Sequence, residues 1–407
     1  MPHRTTPFLY RALRDRVSEF FPPHLHPQIK RLYLSTAVLN GAVAMVSLLE
    51  PIYLYTLGVP VWQIMALYAA VYAIYFFIIP LGGKFVKQHG FSHGILYGSV
   101  FLVVYYSFLF LVAYDARYLV AAAVALACQK ACYWPGFHAQ FAFFGRGDER
   151  GREISNIAVL SSIATVIGPL FGGVIVAQWG FPVLFIVSSS VILLSNLPLL
   201  TVREVFTPSH HLSYRETYQS LIAPENRKYF FGFLGYAEEL VEFTVWPIVL
   251  FVVVGGVLNV GGFLTLSMAL TTIIVLLIGR VVDRCDRHIL MRWGAASIVV
   301  SWILRLCFYA TPKVFWIDFT ARAAKSLFTF PLVAGLYEHA VKTSVVRTVL
   351  FFEMSLTVGK FLTAASLSVL FYVYGEQWWM AFTWASVMAG LYLLLGMKKK
   401  LSTLPFV

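Results

Sequence analysis

Apolar stretches of about twenty residues recur along the chain between short polar links, each long enough to cross about 30 Å of hydrocarbon as a helix. The pattern predicts twelve helical crossings, over residues 32–56, 61–82, 92–114, 117–144, 154–178, 181–201, 229–254, 258–279, 290–310, 314–338, 346–373 and 378–397. None of these runs shows the period-two alternation of a membrane barrel, so a strand reading fails. The link from about Thr201 to Lys228 is the longest and carries Pro208, His210, His211 and Pro224. It divides the chain into an N-terminal segment (1–31), a first six-helix bundle (32–201), a linker (202–228), a second six-helix bundle (229–397) and a tail (398–407). The fold class expected is therefore all-α: a polytopic membrane protein of 12 transmembrane helices in two bundles.

The links carry a second signal. With the N-terminus in the cytoplasm, one set of alternate links holds Lys84 and Lys87; Arg146, Arg150 and Arg152; Arg203, Arg215, Arg227 and Lys228; Arg280, Arg284, Arg287 and Arg292; Lys342 and Arg347; and Lys398, Lys399 and Lys400. The other set holds little beyond Arg117 and Lys313. So steep a bias predicts both termini on the cytoplasmic side of the cell membrane and an even number of crossings. The halves also echo one another. GGKFVKQHG, from Gly82 to Gly90, and GRVVDRCDR, from Gly279 to Arg287, follow the second and eighth crossings about 196 residues apart, the signature of paired bundles.

Composition agrees. Of 407 residues 59% are hydrophobic and 12% charged, whereas a soluble domain carries about a quarter charged residues. The net charge of +12 lies in short runs between apolar stretches, which reads as topology signal and excludes a nucleic-acid groove. The four cysteines have no metal or disulfide spacing, and Cys128 and Cys132 read as small packing residues. Near the N-terminus Leu9, Leu13, Val17 and Phe20 recur at helical spacing among basic residues. That pattern fits a surface-lying amphipathic helix or a solvated basic tail, and no cleavable signal peptide is visible.

Twelve crossings in a six-plus-six arrangement resemble the major facilitator superfamily. Its Gly-x-x-x-Asp-Arg-x-Gly-Arg pattern is matched after the eighth crossing by Gly279, Asp283, Arg284 and Arg287, with Asp286 in place of the second glycine. The first copy keeps Gly83 and Gly90 but puts Lys87 where the acid belongs. In the fifth crossing Gly168, Pro169, Gly172 and Gly173 resemble the element typical of the drug/metabolite:proton antiporter branch. Pro169 removes a backbone hydrogen bond and permits a bend, while the glycines admit a close neighbour. The resemblance implies two pseudo-symmetric bundles, alternating access, and a cavity lined by the first, fourth, seventh and tenth helices.

Ionisable residues within the crossings are costly in lipid and must face a cavity, pair or snorkel. They are Glu50, Lys130, Glu238, Glu239, Glu242, Arg305, Arg322, Lys325, Glu353 and Lys360, and most fall on the four helices that the resemblance assigns to the cavity. Asn40, Ser47 and Glu50 form one stripe; Glu238, Glu242 and Trp246 another; Lys130, Trp134 and His138 a third, with Pro135 and Gly136 between them. Asp318 lies one turn before Arg322 as a possible partner. Glu238 or Glu242 is the expected proton carrier, and Asn40, Glu50, Lys130, Trp134, Trp246, Arg322 and Lys325 are the expected substrate contacts. Static buried ion pairs are the competing reading, and Glu50, beside Pro51, has the further option of reaching the aqueous interface. Arg305 and Lys360 read as structural or snorkelling, and His138 and His339 as polar residues near helix ends. No metal and no cofactor is called for.

A cytoplasmic gate is expected where Asp283 meets the start of the fifth helix near Arg152, with Arg284 and Arg287 beside it. Lys87 is expected to pair with Glu353 as a charge-reversed counterpart. The function anticipated is proton-coupled export of a small organic solute. Proton- or sodium-coupled uptake is one alternative, and a membrane-embedded enzyme or lipid scramblase is another. The partners anticipated are the solute, the coupling proton and the lipid bilayer, with no nucleic acid, the chain acting as a monomer.

Overall fold

The computed structural model describes residues 27–144, 150–201, 214–282, 285–308, 312–342 and 344–397. The N-terminal amphipathic pattern, Asp283, Arg284 and the lysine tail lie outside them. Within them the chain is helical almost throughout and forms no strand. The crossings are α1 (Pro27–Ser47, continued by Glu50–Thr56), α2 (Val61–His89), α3 (Phe91–Val112) and α4 (Tyr118–Phe144). Next come α5 and α6, which share the continuous stretch Arg150–Ser195, and α7, in three pieces (Arg227–Leu234, Ala237–Phe243 and Val245–Val254). The last five are α8 (Val257–Val282), α9 (Arg287–Phe308), α10 (Val314–Lys342), α11 (Val345–Tyr374) and α12 (Trp378–Gly390, extended by the 3-10 turn Leu391–Leu394). A linker helix, Tyr214–Ile222, precedes α7.

Seven helical stretches among the described residues are long and apolar enough to cross a membrane by length and composition alone. The crossings outside that set are α4 and α10, which carry polar and charged side chains, α7, which is broken, and α12, which is short. α5 turns into α6 at Gly180, whose φ of 81° is a left-handed conformation that glycine adopts without strain. Large apolar side chains such as Val120, Ile186 and Val387 are more than three-fifths exposed. In water such a belt would be unfavourable; against hydrocarbon it is the expected surface.

Proline shapes the helices that matter for the site. α1 is interrupted before Glu50, with Pro51 in the first turn of its second piece, where a missing N–H costs little. α7 is interrupted around Gly235–Tyr236, where hydrogen bonds shorten to the i−3 pattern, and again at Thr244, three residues before Pro247. The middle piece, Ala237–Phe243, carries Glu238, Glu239 and Glu242. Pro135 and Pro331 lie inside α4 and α10. Pro51 and Pro247, like Pro135 and Pro331, are separated by the same offset of about 196 residues that relates the two loop motifs. Each pair occupies corresponding helices of the two bundles.

Within the first bundle α1 packs on α5 and α4 on α2 and α3; in the second, α9 packs on α10 and α12. The bundles meet along α2–α11 and α5–α8. At the α5–α8 seam a Cβ on Gly261 would lie 2.4 Å from the Pro169 carbonyl oxygen, too close for any side chain. Gly168 and Gly172 make equally close approaches to α1 at Ala44 and Met45, and Gly173 faces α8 at Val257 and Gly261. Leu170 N–H donates to Thr265 Oγ1 of α8 at 3.1 Å. The backbone torsions of Arg150–Ser195 leave the helical region only at Gly180. The motif in α5 therefore acts here as a two-sided small-residue contact, and the bend anticipated at Pro169 does not break the helix.

Candidate functional site

Between the bundles lies a cavity of about 470 Å³, walled by α1, α2, α3, α4, α7 and α11. Asn40, Glu50, Lys130 and Trp134 line it, together with Glu239 and Lys360. A second cavity of about 410 Å³ is lined from α5, α7, α8 and α10 and includes Glu242, Arg322 and Lys325. Glu239 and Phe243, one turn apart on the middle piece of α7, belong to both walls.

Glu50 sits at the α1 interruption and is buried, so it does not reach the aqueous interface. Tyr68 donates to its Oε1 at 2.5 Å, and Tyr105 donates to the same oxygen. Lys130 Nζ lies 5.5 Å from the centre of the Tyr72 ring, and Lys360 Nζ lies 5.9 Å from that same centre. Such cation–ring contacts partly replace the water a cation loses on burial.

The second bundle holds a cross-linked set of charges. Glu238 accepts from Lys325, from Trp302 Nε1 at 3.0 Å and from the Tyr392 hydroxyl at 3.2 Å. Glu239 bridges two cations, Lys325 at 3.1 Å and Lys360 at 3.0 Å. Arg322 holds Asp318 at 2.7 Å and approaches Glu242 at 3.8 Å. Asp318 also accepts from Trp246 Nε1 at 2.8 Å and Ser267 at 2.6 Å. Arg305 lies fully buried between the Trp246 and Trp302 rings, its guanidinium carbon 4.1 and 4.0 Å from their centres and 3.7 Å separating it from Asp318. Four carboxylates thus meet four cations, and a buried charge is tolerated when so compensated.

Several expectations change. Trp246 does not line either cavity; it is fully buried, its N–H taken by Asp318 and its face by Arg305. Arg305 does not snorkel, because aromatic faces replace the interface as its environment. Lys360 is part of the cavity wall. Glu239, named among the charges within the crossings but given no role, is the carboxylate that the two cavities share.

His138 is buried rather than at a helix end: its Nε2 lies 2.9 Å from Glu353 Oε1, and its Nδ1 lies 2.7 Å from the Tyr337 hydroxyl. Tyr75 donates to the other Glu353 oxygen at 2.9 Å. Glu353 is therefore engaged across the bundles by His138 and Tyr75, and not by Lys87, which has no carboxylate within 4 Å among the described residues. On the opposite side of the cavity the bundles touch through Tyr55 and Phe251, and through Trp62 and Tyr372. Arg287 pairs with Glu338 of α10 at 3.2 Å, within its own bundle. Gly279 lies in α8 and Arg152 in α5, but the partners expected for them at the gate fall outside the described residues.

Two related helical bundles enclosing a charged cavity form the architecture of a membrane carrier. A model described as Major Facilitator Superfamily matches residues 32–272, more than half of the chain. The chain belongs to the Major Facilitator Superfamily (MFS). A solved MFS transporter, FucP, in its outward conformation, is similar in fold, with a TM-score of 0.62 at 13% identity over 92% of this chain and 100% of that one. No curated protein sequence matches the chain significantly. Membership makes the chain a multi-pass membrane protein and a secondary transporter working by alternating access, and points to a transporter rather than an enzyme.

Proposed function

We propose that this MFS protein exports a small organic solute in exchange for protons, with Glu242 carrying the proton and both termini in the cytoplasm. The observation that supports it most is the contrast between the acids of α7. Glu238 is fully buried, lines neither cavity and is held by three donors, so protonating it would weaken three charge-assisted hydrogen bonds at a carboxylate closed off from both cavities. Glu242 lines a cavity, and its cation, Arg322, keeps Asp318 at 2.7 Å whether or not Glu242 is charged. A proton can therefore come and go at Glu242 without orphaning a buried cation. Glu239, linked to lysines lining each cavity, couples that change to the solute site. The orientation follows from the basic links, and export is favoured by the Gly168-Pro169 element, which lies on the seam between the bundles.

The test is transport in proteoliposomes under an imposed pH gradient, comparing wild type with Glu242→Gln and Glu238→Gln. Glu242→Gln is expected to lose proton-driven transport while still exchanging solute down its own gradient. Glu238→Gln is expected to lower thermal stability. Unimpaired proton-driven transport in Glu242→Gln would sink the assignment.

A further inference from the structure

Two charged groups in the wall of the first cavity, Glu50 and Lys130, make no ion pair within 4 Å among the described residues. Both tyrosine hydroxyls on Glu50 bind Oε1, so Oε2 accepts no hydrogen bond from the described residues. Lys130 Nζ has no carboxylate oxygen within 4 Å among them, and its cation contact is the Tyr72 face. The other two charges of that wall, Glu239 and Lys360, are bound to each other at 3.0 Å. Opposite charges sharing a low-dielectric cavity attract strongly, yet Glu50 and Lys130 form no ion pair, although both line the same space.

We propose that this cavity binds a zwitterion of the amino-acid type, its ammonium on Glu50 Oε2 and its carboxylate on Lys130. The proposal rests on reading the cavity as the site of the transported solute, and it names the class of that solute. Charge supports it: a zwitterion completes both unpaired groups and adds no net charge to a site where an uncompensated ion is expensive. A plain cation would leave Lys130 unpaired, and a plain anion would face Glu50. Volume supports it too, since about 470 Å³ falls within the ordinary range for small-molecule sites. The remaining wall includes Tyr72, Tyr106, Tyr133 and Trp134, which suits an apolar or aromatic side chain.

Binding is measured on the detergent-purified full chain with no gradient, by thermal shift and competition. The probes are free L-amino acids with apolar or aromatic side chains, each beside its methyl ester and its N-acetyl form. At least one free amino acid is expected to bind about tenfold or more tighter than both of its blocked forms, as for loss of a hydrogen bond to a charged group. Lys130→Gln should abolish the preference over the ester and keep the preference over the N-acetyl form; Glu50→Gln should do the reverse. Should either variant fail to fold, Lys130→Arg and Glu50→Asp are expected to retain both preferences at reduced affinity. The proposal is overturned if no free amino acid outbinds its blocked forms, or if each variant weakens all three forms alike. Because no gradient is involved, failure of proton coupling at Glu242 would leave this result standing, and the converse holds equally.

Discussion

The two bundles treat buried charge in opposite ways. In the first, Glu50 and Lys130 stand apart in one cavity, each steadied by tyrosine: hydroxyls for the acid, a ring face for the base. In the second, Glu238, Glu239, Glu242 and Asp318 are tied to Arg305, Arg322, Lys325 and Lys360 by contacts of 3.8 Å or less. A loosely held charge is available to a ligand, whereas a cross-linked one fixes helix positions and moves only with its partners. Under the function proposed above, recognition falls to the first bundle and coupling to the second. Glu239 is where they join, since it lines the first cavity while bonded to Lys325 and Lys360.

The contrast breaks most severely at Asp318. Asp318→Ala removes the acceptor for Trp246, Ser267 and Arg322 and leaves Arg305 without its nearest carboxylate. A loss of about 3–5 kcal/mol is expected, as for one partner of a buried pair, read as thermal unfolding in detergent. Tyr105→Phe probes the other bundle and should cost only about 1–2 kcal/mol, because Tyr68 still serves the same Glu50 oxygen. If it destabilised as much as Asp318→Ala, the loose reading of the first bundle would be wrong. The smallest effect is expected at Arg287→Ala. Its pair with Glu338 is more than half exposed on both sides, and Lys342 also reaches that carboxylate, so the change should stay below about 0.5 kcal/mol. A larger loss there would mean that the gate motif is braced by this pair.

The local signals read well where each residue's surroundings were set by its own helix. The crossings follow from run length, whereas the cavity positions of Asn40, Glu50, Lys130 and Trp134 followed from the family resemblance, which assigns the first and fourth helices to the cavity. The reading failed where the backbone departed from a regular helix or where two bundles met. Trp246 shares a nominal stripe with Glu242, yet the break at Thr244 separates them into different pieces. Glu353 was matched to Lys87 through the symmetry of the gate motif and its place near the inner end of α11, whereas tertiary packing brings His138 from α4 to it. The paired prolines were legible as a repeat at the offset of the loop motifs, and one pair, Pro51 with Pro247, lies beside the interruptions of α1 and α7.

What the sequence by itself determined was the class, the number of crossings and which charges had to leave lipid. Those follow from transfer free energies and helix length, which depend on composition along a short window. Only the tertiary structure decided which of those charges pair and which remain open. Pairing depends on distances of a few ångströms between residues far apart in the chain, such as Glu239 with Lys360 or Glu238 with Lys325, and no local pattern encodes them.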